Sequence, residues 1–267
     1  MESVRSVTRA AGIVDVVANG GAEGARLMDV VTATGLQKTT VHRILATLTE
    51  LGWLEQTEAG SFHLGPKLVG LGTEALNRHG IVDIAGPRLA ALARTTHDTV
   101  FLSTRSGIES LCVDRVLGSF PIRTLTLQVG DRRPLGVGAG AMALLAWLPD
   151  DEIEAVLSSS PSSSRYPRPD AASVLQTART ARERGYTVNN GGIVPGAVGV
   201  GVPVLAEDGM PIASLSVAAV ETRMGPERIA AIAERMAVEA AVLRDDLREV
   251  APRLSEPSIR RLLDPHL

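Results

Sequence analysis

At 267 residues, with 45% hydrophobic residues and a formal charge of −3, the chain exceeds the usual single-domain length of about 100–200 residues and is too apolar for wholesale disorder, so two folded domains are expected. A single cysteine, Cys112, excludes an internal disulfide or a cysteine metal cluster and suits a reducing cytoplasm. No apolar run nears the roughly 20 residues of a membrane span, and residues 1–9 lack the apolar core of a signal peptide.

Residues 6–18 read as a helix with Val7, Ala10, Val14 and Val17 on one stripe, ended by Asn19-Gly20-Gly21. A second helix is expected from Ala25, with Gly35 supplying the positive φ that closes it. A third follows from Lys38. Its apolar residues Val41, Ile44, Leu45, Leu48 and Leu51 recur at three and four, and its other face carries Thr39, Thr40, His42, Arg43, Ala46 and Thr47. Short or hydrogen-bonding side chains, with no acid before Glu50, suit a face pressed against base edges and phosphates. Two amphipathic helices around a glycine turn make a helix-turn-helix. Short strands at 53–56 and 61–64 around Thr57-Glu58-Ala59-Gly60 add a wing. Residues 1–80 hold seven basic and eight acidic side chains, so strong nonspecific DNA affinity by one copy is not expected.

These residues carry a family resemblance. The run Leu36-Gln37-Lys38-Thr39-Thr40-Val41-His42-Arg43-Ile44-Leu45-Ala46-Thr47-Leu48, then Gly52-Trp53-Leu54 and Phe62-His63-Leu64-Gly65, resembles the N-terminal domain of the IclR family of bacterial transcriptional regulators. The resemblance continues through Gly130, Pro134-Leu135, the stretch from Gly138 to Ala146, Arg184-Gly185-Tyr186 and Val202-Pro203, covering roughly residues 3–250. It implies a winged helix-turn-helix DNA-binding domain (1–65), a linker helix (66–80) and a GAF-like effector-binding domain (81–251), followed by a tail (252–267). It also implies assembly as a homodimer or dimer of dimers on a double-stranded operator. Two departures stand out. Gln37 replaces the family's usual proline, and the wing tip carries Glu58 rather than a basic residue.

Within 66–79 the stripe Leu68, Leu71, Ala75 and Leu76 serves either as a dimer seam or as packing onto the same chain. The second domain reads as α+β with a mostly antiparallel sheet. Strands are expected at 99–105, 110–116, 122–129, 185–188, 198–205 and 212–220. Helices are expected at 84–96, 139–147, from Asp150, at 171–184 and at 226–250, with a Ser/Pro-rich loop at 158–169.

Gly136-Val137-Gly138-Ala139-Gly140 lacks the flanking pattern of a dinucleotide fingerprint and the Lys-Ser/Thr of a P-loop. It leaves two readings: bare amides at a helix N-terminus that receive a small carboxylate, or glycines for close packing. By resemblance the effector pocket comprises Gly138, Ala139, Asn189, Gly199, Ser216 and Ala218. Glycine at 199 and alanine at 218 imply a larger, less polar pocket, suited to a bulkier, partly apolar carboxylate. No cofactor or metal is expected. Two other classes compete: a ligand-independent structural DNA-binding protein, and an enzyme. No nucleophile elbow or zincin histidine pair occurs, Cys112 lies mid-strand as a small core hydrophobe, and Asp114-Arg115 reads as a surface ion pair.

Overall fold

The computed structural model describes residues 4–159 and 170–250. The expected tail, 252–267, and residues 160–169 of the expected loop lie outside them. Two compact units divide the chain, Met1–Ala75 and Leu76–Leu267, and the division falls inside the helix expected as a linker.

In the first unit, α1 (Arg5–Asn19), α2 (Leu27–Thr34) and α3 (Lys38–Glu50) converge on Ile13, Val17, Val30, Val41, Leu45 and Leu48. These are the residues that a 3.6-residue period aligns on one face of each helix. Gly35 closes α2 in the left-handed conformation, φ 65°, its N–H donating to Val31 O. The second helix starts two residues later than Ala25. Ala25–Arg26 instead forms a short strand, β1, paired antiparallel to β3 (Ser61–Leu64), and β3 pairs with β2 (Leu54–Gln56). The Asp29 carboxylate accepts the Arg26 N–H at 2.8 Å, which separates strand from helix there. The wing turns at Thr57–Gly60, with Gly60 at φ 81°. Then α4 (Pro66–His79) runs through the division between the units, with Leu71 exposed.

The second unit is a six-stranded, wholly antiparallel sheet in the order β6-β5-β4-β9-β8-β7. Its strands are β4 (Thr99–Ser106), β5 (Glu109–Val116), β6 (Arg132–Pro134), β7 (Thr187–Asn190), β8 (Ala197–Leu205) and β9 (Pro211–Val220). Period-two alternation gives the two faces different sizes of side chain. Val198, Val200, Val202 and Val204 of β8, with Leu215 and Val217 of β9, pack against Leu89 and Leu92 of α5 (Ile81–Thr96) and Met236 and Leu243 of α9 (Pro226–Val250). The alternate positions are Gly199, Gly201, Ser214, Ser216 and Ala218, and on them lies α6 (Ala139–Ala146). Helices α7 (Asp150–Ser159) and α8 (Ala171–Arg184) share a separate core with α6, built on Leu144, Leu145, Ile153 and Ala178. Arg182 of α8 ties this layer together, donating to Ala146 O at 2.5 Å and Leu148 O at 2.7 Å and pairing with Asp150. Among the described residues, no helix is long and apolar enough to cross a membrane.

The α+β architecture with its winged helix-turn-helix is as the sequence implies; the third strand of the second domain is not. Residues 122–128 belong to no ladder, and the edge strand is β6, which pairs with Glu109–Leu111. Ile122, Leu125 and Val129 of that run are all exposed. Main-chain carbonyls here are held by side chains instead. Arg115 Nη1 donates to Leu127 O at 2.9 Å, and Arg133 Nη2 donates to Thr126 O. Arg115 thus directs its guanidinium to a carbonyl. Helix α5 also begins three residues earlier than expected and carries Pro87 inside it.

Candidate functional site

Two places bring the expected residues together, one in each unit. In the first, α3 presents Lys38, Thr39, His42 and Arg43 exposed, with Thr40 half-buried. At 100° per residue, Thr39, Arg43, Ala46 and Glu50 lie opposite the buried line of Val41, Leu45 and Leu48. Arg43 is therefore central on the outward face. His42 lies on the flank toward the wing, where it borders a groove of about 340 Å³ with Thr49, Glu50, Gln56 and Gly60. Thr40 is on the opposite flank. No side chain caps the N-terminus of α3; the Thr40 and Val41 amides donate to Gln37 O, and Lys38 and Thr39 open the helix. An uncapped helix start beside an exposed lysine has the chemistry of a phosphate contact.

In the second unit, α6 begins from a glycine loop. Gly138 is its N-cap, at φ 94°, and the first intrahelical bond runs from Met142 N to Gly138 O. The amides of Ala139, Gly140 and Ala141 therefore precede the helix's own ladder. The small residues below set how closely this end approaches the sheet. A Cβ on Gly140 would stand 3.0 Å from Ser216 Oγ, and one on Gly201 would stand 2.4 Å from Ala139 O. Thr187 Oγ1 donates to that same carbonyl at 2.7 Å. Gly140, like Gly201 on the strand below it, is needed for close packing, and the first amides of α6 lie outside its own ladder.

The six positions expected to form a pocket line one recess: Gly138, Ala139, Asn189, Gly199, Ser216 and Ala218. Its cavity volume is about 40 Å³, and it continues into a mouth of about 440 Å³ that shares Thr126, Arg133, Val137, Gly138, Asn189, Ile193 and Val194. Forty cubic ångströms admits a few waters or one small polar group; the mouth has room for the rest of a larger molecule. Gly199 lines the recess and also faces α6: a Cβ there would meet Ala139 Cβ at 3.2 Å.

Several lining residues were not singled out from sequence. Phe101 pairs with Ser216 across β4 and β9 and walls the recess. Ile193 reaches over the start of α6; a Cβ on Gly138 would lie 2.8 Å from its Cδ1 and 3.2 Å from Arg133 Nη1. Arg133 is buried, 6% exposed. Its signal in the sequence is faint: an arginine pair on an edge strand whose alternation sends one side chain inward. Cys112 lies behind Phe101 and Ala218. Burial, and secondarily the nearby Asp131 carboxylate, push its thiol up to about 12, which keeps it protonated and unreactive.

Comparison with known proteins places both units in one family. The model described as the IclR helix-turn-helix domain matches residues 6–58. The model described as the bacterial transcriptional regulator IclR C-terminal matches residues 73–243. The chain is 30% identical over 212 residues to the HTH-type transcriptional regulator KipR of Bacillus subtilis, covering 79% of this chain and 84% of that protein. A transcriptional regulator from Alicyclobacillus acidocaldarius superposes with a TM-score of 0.78 at 23% identity, covering 92% of this chain and all of that one. An IclR homolog of Microbacterium hydrocarbonoxydans, solved with 4-hydroxybenzoate, does so with a TM-score of 0.70 at 23% identity, over 91% and 99% of the two chains. With both halves matched and the helix-turn-helix and antiparallel-sheet domains in place, the chain belongs to the IclR family and is an effector-modulated, DNA-binding transcriptional regulator.

Proposed function

We propose that this regulator senses a bulkier, partly apolar carboxylate and acts, as a cytoplasmic homodimer or dimer of dimers without catalytic activity, on a pseudo-palindromic operator. The observation that carries this reading is the composition of the recess. Open amides at the start of α6 stand at its inner end, Phe101, Leu127, Ile193 and Val194 wall it, and Gly138, Ala139, Asn189, Gly199, Ser216 and Ala218 complete the lining. A helix N-terminus favours an anion. The recess and its mouth together have room for a carboxylate with a larger body, and the apolar walls Phe101 and Leu127 belong to the recess. That the Microbacterium homolog was solved with an aromatic carboxylate supports the same reading.

On DNA, Lys38 and the N-terminus of α3 hold phosphate, Thr40 and Arg43 address base edges, and Thr39 and His42 add contacts beside them. With its near-neutral charge, one winged domain binds weakly alone, so dimerisation supplies the second reading head and the symmetry of the site. The exposed Leu71 on α4 supports the linker helix as part of that seam. Calorimetry with a panel of acids tests the effector class. Branched or aromatic acids are expected to bind more tightly than glyoxylate; glyoxylate binding the tightest would overturn it. Release of captured operator DNA by the same acid separates this reading from a ligand-independent DNA-binding protein.

A further inference from the structure

We propose that Arg133 is the counter-charge for the effector's carboxylate and, through the same guanidinium, the tether linking the pocket to residues 122–128. This rests on reading the recess as the effector pocket. Arg132 and Arg133 stand side by side on edge strand β6, and the pleat sends them to opposite faces. Arg132 is exposed and pairs with Glu109 at 3.2 Å. Arg133, opposite Ser110 in register, is buried in the wall of the recess. Its Nη1 lies 3.2 Å from where a Cβ on Gly138 would stand, beside the first residue of α6. The guanidinium thus lies beside the loop from which α6 starts. Among the described residues lining recess and mouth, Arg133 is the only one with a charged side chain. Arginine stays protonated throughout the physiological range, and its fork matches a carboxylate in geometry. Phe101, Leu127 and Ile193 are among its neighbours in the wall, and beside such apolar side chains a charge acts more strongly than in water.

The second role follows from the other end of the same group. Arg133 Nη2 donates to Thr126 O, in a stretch that belongs to no strand ladder and is also held by Arg115 at Leu127 O and by the Gln128–Asp131 turn. Because the guanidinium is planar and rigid, an anion engaging Nη1 re-aims Nη2 as well. Occupancy is thereby passed to 122–128, whose Ile122 and Leu125 are exposed and whose Leu125 also lines the mouth.

The test uses the full chain and four acids (benzoate, 4-hydroxybenzoate, phenylacetate and 3-methylbutanoate), each against its primary amide, which keeps the shape and removes the charge. Calorimetry is expected to show at least one acid bound about ten- to a hundredfold more tightly than its amide, the size of a charge-assisted hydrogen bond. In Arg133→Gln that preference should vanish. Arg133→Lys, which keeps the charge and loses the fork, should retain part of it and decides the matter if the glutamine variant does not fold. Hydrogen exchange at 122–128 should change on acid binding in the wild type. Acid preference surviving intact in folded Arg133→Gln, or in Arg133→Lys where that is the only folded variant, overturns the anchoring role alone. Exchange at 122–128 indifferent to bound acid overturns the tether. A wild-type chain that binds none of the four acids overturns the pocket reading and this inference with it.

Discussion

Replacing Gly201 by alanine is expected to lift the start of α6 off the sheet. A Cβ there would stand 2.4 Å from Ala139 O, 2.6 Å from its carbonyl carbon and 2.7 Å from Thr187 Oγ1. Contacts under 3.0 Å are essentially never found for real Cβ atoms, so the gap must open by at least 0.6 Å (3.0 minus 2.4). The carbonyl cannot swing aside freely, because Thr187 Oγ1 donates to it at 2.7 Å. Overpacking of this kind costs about 1–3 kcal/mol, and weakening the threonine bond adds about 0.5–1.5 kcal/mol. The reduced freedom of the unfolded chain offsets about 0.4–1 kcal/mol. The net expectation is a loss of about 0.5–4 kcal/mol. Urea unfolding in a Trp53→Phe background reads it through Trp147, then the only tryptophan and the residue that ends α6. If Gly201→Ala shifted stability by no more than a few tenths of a kcal/mol, the close seat of α6 on β8 would be refuted.

The remaining predictions concern the layer behind the pocket. Arg182→Ala removes donors from Ala146 O and Leu148 O at the end of α6 and should cost roughly 2–4 kcal/mol by chemical denaturation; an unchanged midpoint would show that water replaces the clasp. Hydrogen bonds from Arg182 and Arg179 hold Asp150 below the usual carboxylate range. A depressed carboxylate stabilises the fold above its unfolded pKa of about 3.9 and loses that contribution as pH falls through the folded value. The wild type should therefore lose more stability than Asp150→Asn between pH 5 and pH 3, and parallel acid profiles would contradict this. Cys112, pushed up to about 12 by burial first and Asp131 second, should resist maleimide at pH 8 in the folded chain and react on unfolding. Rapid labelling of native protein would place it outside the core.

Much of this molecule is legible in its sequence, and the parts that are not share a physical cause. The helices of the first unit follow from apolar residues at three and four, with Gly35 marking the turn. The valines of β8 and the Leu215-Val217 face of β9 follow from alternation. Residues 122–129 read as a strand yet form none, because a sequence pattern reports a possible pleat and not a neighbouring strand; Arg115 and Arg133 donate to the carbonyls of Leu127 and Thr126 in place of one. The strand that does form the edge, Arg132–Pro134, has three residues and no apolar alternation. Residues Gly138, Asn189, Gly199 and Ser216 were placed around one pocket by family resemblance, and they do line one recess. A glycine in sequence does not say whether its missing side chain leaves room for a ligand or for a neighbouring helix; at Gly199 an added Cβ would meet Ala139 Cβ at 3.2 Å. Arg133 was missed because burial of an arginine depends on a register that only the folded sheet fixes.

The central claim is that α3 reads an operator, with Arg43 at the centre of its outward face. Genomic fragments captured by the full chain and sequenced would supply the operator. Fluorescence anisotropy on that fragment at fixed salt would then compare the wild type with Arg43→Ala. Arg43→Ala should lose about 1–3 kcal/mol, roughly five- to 150-fold in affinity, with preference relaxed at one position in each half-site. Unchanged affinity together with unchanged sequence preference would contradict it.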